Sequence, residues 1–90
     1  VVSPRDFYDG TRFIVVCPVR SRIRPFGSSV VLPAGYQIAG EILVAQMQTL
    51  DALARPIRFS GMTIDSGLLS AVRRKIAFLC GVSARNLIAE

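Results

Sequence analysis

Ninety residues allow one domain with a modest core, and 51% of them are apolar, which is rich for so small a unit. The formal charge is +5, from eleven Lys+Arg against six Asp+Glu, and ten of the eleven cations are arginine. There is no histidine, which excludes a His general acid or base, a serine triad and a His-ligated zinc. Arginine offers a fork for phosphate and a flat surface for a base, so the balance points to nucleic acid or an acidic protein partner; an ordinary basic surface is the alternative. Cys17 and Cys80 form no metal spacing and sit in apolar sequence, as buried free thiols in a reducing cytosol would. No apolar run is long enough to span a bilayer and no signal peptide is visible, so the sequence reads as cytoplasmic; no metal-ligand spacing or cofactor motif is expected in it. The apolar excess predicts a dimer.

Val1-Val2 reads as the tail of a strand. Ser3–Phe7 reads as a capped helical turn, with Ser3 as cap, Pro4 in the first helical position and Asp6 in the first turn. Asp9-Gly10 signals a turn. Thr11–Val19 is expected as one strand, buried on both faces from Phe13 to Cys17, with Pro18 marking an edge or bulge. In Arg20-Ser21-Arg22-Ile23-Arg24, extended backbone would set the three arginines on one face, where phosphates or carboxylates would lie between them. Phe26, in the loop Pro25–Gly27, is either a stacking platform for an unpaired base or part of the core edge.

Ser28–Leu32 is a short strand. Gly40–Leu50, GEILVAQMQTL, is the central one: Ile42–Val44 runs apolar, then alternation places Gln46 and Gln48 together on one face. Arg55–Phe59 is expected as a last edge strand with Arg55 and Arg58 outward. Asp65 or Ser66 caps a helix running to Leu79 or Cys80, with Leu68, Leu69, Val72, Ile76, Leu79 and Cys80 as its apolar stripe. Arg73, Arg74 and Lys75 lie off that stripe, and Gly81 is the C-cap. The fold class is mainly β with a C-terminal helix (α+β), as one unit over residues 1–82 with a tail over 83–90 in which Leu87-Ile88 docks.

The segments CPVRSRIRPF, VVLPAG and GEILVAQMQTLDALARPIRFSG, followed by the helix, resemble in order the PemK/MazF family of toxin–antitoxin ribonucleases, from Val1 to Gly81. The resemblance implies an SH3-like barrel of the CcdB/PemK/MazF type, lacking its first strand or strands here, and a homodimer. It also implies metal-free cleavage of single-stranded mRNA, and a cognate antitoxin with an acidic, disordered tail. Gln46, Ser21, Asp51 and Arg55 match the family pattern. The family's threonine falls on Arg20, its aspartate falls on Ala45, and its opening strand and arginine-bearing loop have no counterpart. The resemblance thus implies Arg20 and Ser21 as catalytic residues, with Arg22, Arg24, Phe26, Gln46, Gln48 and Arg55 as RNA-binding ones. Arg20, Arg22, Arg24 and Gln46 are expected to line one groove.

Those departures leave three explanations: a truncated product, a toxin that binds without cutting, or arginines that have taken over electrostatic stabilisation. A second reading is a CcdB-like DNA gyrase poison, motivated by the missing ribonuclease residues and the tail from Gly81. A third is an inert remnant that binds RNA or titrates an antitoxin.

Overall fold

A computed structural model of the chain describes residues 1–21, 29–36, 38–58 and 60–82. The order is α1 (Arg5–Thr11), β1 (Phe13–Val16), β2 (Val19–Arg20), β3 (Ser29–Val31), β4 (Glu41–Leu43), a 3-10 turn (Val44–Gln46), β5 (Gln48–Asp51) and α2 (Ser66–Leu79). Among the described residues, β1 and β5 form one antiparallel sheet and β2-β4-β3 another. The expected class, mainly β with a C-terminal helix, is the one observed. A closed barrel is not formed among the described residues.

Two of the expected strands are each broken in two, and the breaks face each other. Pro18 has no N–H to give a ladder, so Thr11–Val19 divides into β1 and β2. The Gly40–Leu50 segment divides at the 3-10 turn into β4 and β5. Val16 still pairs with Gln48, and Val19 with Ile42, so Cys17 and Pro18 lie opposite the longer stretch Leu43–Met47. The Leu43 N–H donates to the Pro18 carbonyl at 2.8 Å and keeps the corner closed. The result is one bent ribbon, not a straight strand pair. The turn forms because Val44 is drawn inward: it is fully buried and packs with Leu32, Ile42, Leu68 and Val72. Burial of that side chain offsets the broken ladder.

The first half of the predicted central strand is covered as expected, with Glu41 and Ile42 both buried. Burial of β1 on both faces is not observed. Ile14 is buried but Phe13, its neighbour on the opposite face of the two-stranded sheet, is 40% exposed. Val1-Val2 is no strand, although the Val2 N–H donates to the Val15 carbonyl at 2.8 Å.

The N-terminal helix is longer than one turn and is capped differently. Ser3 does not cap it; its Oγ accepts from the Val15 N–H at 2.9 Å, which ties it to β1 instead. Pro4 is the N-cap, with extended backbone. Asp9-Gly10 lies inside the helix, and the reversal comes at Arg12, which takes φ 65° and stacks its guanidinium 5.3 Å from the Tyr8 ring centre. The expected Arg55–Phe59 strand is absent over residues 55–58. The Asp51 carbonyl accepts from Arg55 N–H (3.1 Å) and its Oδ1 from Leu53 N–H (2.9 Å), so a turn takes the backbone that a strand would need. Phe59 and the tail 83–90, including Leu87-Ile88, lie outside the described residues.

The second helix agrees with its sequence at both ends. Asp65 Oδ1 accepts from the Leu68 N–H at 2.8 Å. Gly81, at φ 82°, ends the helix, with its own N–H donating to Phe78 and that of Val82 to Ala77, a Schellman arrangement. Leu68 and Val72 enter the core, whereas Leu79 and Cys80 at the end of the stripe are exposed. The expected burial of Cys80 is therefore corrected: it is the helix C-cap and is exposed. Cys17 is half-buried, and burial pushes its thiol up from the ordinary value, away from nucleophilic chemistry.

Tyr36 fastens the long loop before β4 to this helix. Its hydroxyl donates to Asp65 Oδ2 at 2.8 Å and accepts from the Asp65 N–H at 3.1 Å. The Leu68 N–H first, and the Tyr36 hydroxyl second, hold the Asp65 carboxyl below the ordinary 3.8. The unfolded chain therefore binds this proton first as pH falls. The stabilisation is complete above the unfolded value and is lost as pH drops through the folded one. The gap in Tm between the native chain and Asp65→Ala is expected to narrow below about pH 4. Thermal melts across that range check it; a gap that stays constant would contradict this assignment.

Candidate functional site

Strand β2 delivers Arg20 directly opposite Glu41 of β4. Glu41 is fully buried and Arg20 has a third of its side chain exposed. Nε of Arg20 donates to Glu41 Oε1 at 3.0 Å, and Nη2 donates to the same oxygen. The other carboxylate oxygen, Oε2, accepts from the Ser29 hydroxyl on β3 at 2.9 Å. The three strands of this sheet thus each contribute one group to a single polar cluster under the ribbon's end.

The backbone is held as tightly as the side chain. Gly40 has φ 155°, and a Cβ there would sit 2.4 Å from the Arg20 carbonyl oxygen and 3.3 Å from Ser21 Cα. Only glycine lets the two chains approach so closely. Gly40 also accepts at its carbonyl from the Leu32 N–H at 2.8 Å, which fixes the strand it introduces. Ser21 follows β2 directly and is exposed.

The other expected site residues are distributed along the ribbon. Gln46 ends the 3-10 turn and Gln48 begins β5; both are exposed, but the turn between β4 and β5 cancels the simple alternation that would have set them side by side. Gln48 is opposite Val16, on the far side of the corner from Arg20. Arg55 is exposed in the turn after β5, beyond the other end of the ribbon. It lines a cleft of about 830 Å³ together with Arg5, Tyr8, Ile14, Leu53 and Ile57. Arg58 is exposed, as expected. Arg22, Arg24 and Phe26 lie outside the described residues.

Glu41 is a residue of this cluster that the family pattern does not mark. The signal was present: between Asp9 and Asp51 it is the sole acidic residue, in a segment that carries four arginines. A carboxylate in an otherwise apolar strand needs a cation, and the arginine row supplied it.

The sheet arrangement, the packed C-terminal helix and the bent ribbon define a MazF-type fold. A crystal structure of a MazE–MazF complex from Deinococcus radiodurans superposes with a TM-score of 0.79 at 30% identity, over 90% of this chain and 77% of that one. A second form of that complex matches at 0.78 and 30% identity, over 90% and 81% of the two chains. MazF alone from the same organism matches at 0.79 and 29%, over 89% and 72%. No family model matches the chain, and no curated protein matches it by sequence. At this identity and coverage the chain belongs to the PemK/MazF family of toxin–antitoxin toxins.

Proposed function

We propose that this toxin is a metal-independent endoribonuclease, an mRNA interferase that cuts single-stranded RNA. The observation that carries the reading is the likeness to MazF at 30% identity across 90% of the chain. It favours this reading over the gyrase-poison alternative. The 2′-hydroxyl of one nucleotide attacks the adjacent phosphorus, the bond to the 5′-oxygen breaks, and a 2′,3′-cyclic phosphate and a 5′-hydroxyl result.

In this reading Arg20 stabilises the charge that gathers on the phosphorane oxygens, and the Ser21 hydroxyl bonds to the same group. The guanidinium stays protonated, so the base is another group. Arg22, Arg24, Phe26, Gln46, Gln48 and Arg55 contact the RNA. A strand several nucleotides long would follow the ribbon from Arg20 past its corner towards Arg55.

The working unit is a cytoplasmic homodimer. Phe13, Leu53, Phe78 and Leu79 are exposed apolar side chains that a partner copy would cover. The matched structures include MazE–MazF complexes, which supports a cognate antitoxin; in this reading its acidic, disordered tail occupies the RNA groove. The test is a long single-stranded RNA incubated with the purified chain in EDTA. Discrete fragments are expected, unchanged by the chelator; RNA that stays intact at high protein concentration would overturn the reading.

A further inference from the structure

We propose that Glu41 is a positioning residue for RNA cleavage: together with Ser29 and Gly40 it fixes Arg20 in one orientation at the rim of the site. The inference rests on the ribonuclease reading above and goes beyond it, since Glu41 itself touches no substrate. A fully buried carboxylate is a poor way to stabilise a strand, because apolar residues of the same volume do as well or better. What the carboxylate provides is direction. Oε1 takes both Nε and Nη2 of Arg20, which sets the plane of the guanidinium, and Oε2 is anchored by the Ser29 hydroxyl. The close approach of Gly40 to the Arg20 carbonyl sets the backbone from which the side chain departs. One dipeptide, Gly40-Glu41, therefore seats both halves of Arg20.

The exposures divide the pair in a useful sense. The anion is wholly inside, and the cation has a third of its side chain at the surface. A polyanion arriving from solvent meets the guanidinium and not the carboxylate. A cation held in place before the reaction does not have to reorganise as the phosphorane forms.

The experiment compares cleavage of a long single-stranded RNA in EDTA by the native chain, Glu41→Gln and the double variant Arg20→Met/Glu41→Leu, alongside thermal melts. Glu41→Gln is expected to lower kcat by about ten- to a hundredfold with KM within about twofold, the pattern of lost transition-state alignment. The double variant is expected to regain the thermal stability of the native chain without regaining cleavage. Should Glu41→Gln fail to fold, Ser29→Ala decides instead: with Oε2 released from the Ser29 hydroxyl and Arg20 kept, kcat is expected to fall severalfold at unchanged KM, and a native kcat would overturn the proposal. A double variant that regains cleavage along with stability, or a Glu41→Gln chain with native kcat, would show that the pair serves the fold alone and overturn the proposal. RNA left intact by the native chain would remove the ribonuclease reading itself, an outcome distinct from either because it involves no variant.

Discussion

Arg20→Ala is expected to destabilise the fold more than any other removal of a surface-reaching side chain. The substitution removes both Arg20 hydrogen bonds from the buried Glu41 carboxylate and keeps the one from the Ser29 hydroxyl. Breaking a buried pair costs about 3–5 kcal/mol, and the partial exposure of Arg20 puts this one near about 3 kcal/mol. For a domain of this size that corresponds to a fall in Tm on the order of 15 °C. Arg55→Ala and Arg58→Ala, with both arginines exposed, are expected to change stability by less than about 0.5 kcal/mol. Urea titration of the three variants checks the contrast. Equal midpoints for all three would mean that the Arg20–Glu41 pair does not hold the sheet together.

Gly40→Ala is expected to be the second large effect, through the backbone. The added Cβ meets the Arg20 carbonyl oxygen at 2.4 Å, and a main-chain atom cannot swing aside as a side-chain end would. Its φ of 155° is also outside the region that alanine prefers. Strain of this kind costs about 1–3 kcal/mol before the clash is counted. Relief requires β2 to move away from Glu41, so the seat of Arg20 is lost with it. Gly10→Ala is the control: it lies inside α1, meets nothing within 4 Å, and should stabilise by about 0.5–1 kcal/mol. Opposite signs for the two substitutions, read from denaturant midpoints, are the expected result. A neutral Gly40→Ala would show that the strands do not approach as described.

The parts of the fold that were legible in the sequence are those set by neighbours along the chain. The helix Ser66–Leu79 announced itself through Asp65 as cap, the spacing of Leu68, Val72 and Ile76, and Gly81 at its end. What the sequence hid was set by partners far away in it. Val44 lies in a run that alternates like a strand from there on, yet the core beneath α2 turns it inward and makes a corner. Ser3 is a good cap by type but was taken by Val15, and Asp51 spent its hydrogen bonds on a turn where Arg55 and Ile57 suggested a strand. At the site, Arg20 was visible from its arginine-rich neighbourhood and from the family pattern. Its partnership with Glu41 depends on a register, Arg20 opposite Glu41, that only strand pairing across the intervening loop creates.

If a cation held by a buried carboxylate serves metal-free RNA cleavage by the 2′-hydroxyl, the ends of the cut RNA carry its signature. The most direct test is mass analysis of RNA ends produced by the native chain and by Arg20→Met/Glu41→Leu in EDTA. Expected are 2′,3′-cyclic phosphate and 5′-hydroxyl ends from the native chain and uncut RNA from the double variant. Ends bearing a 5′-phosphate, or the same cyclic ends from both proteins, would contradict this mechanism.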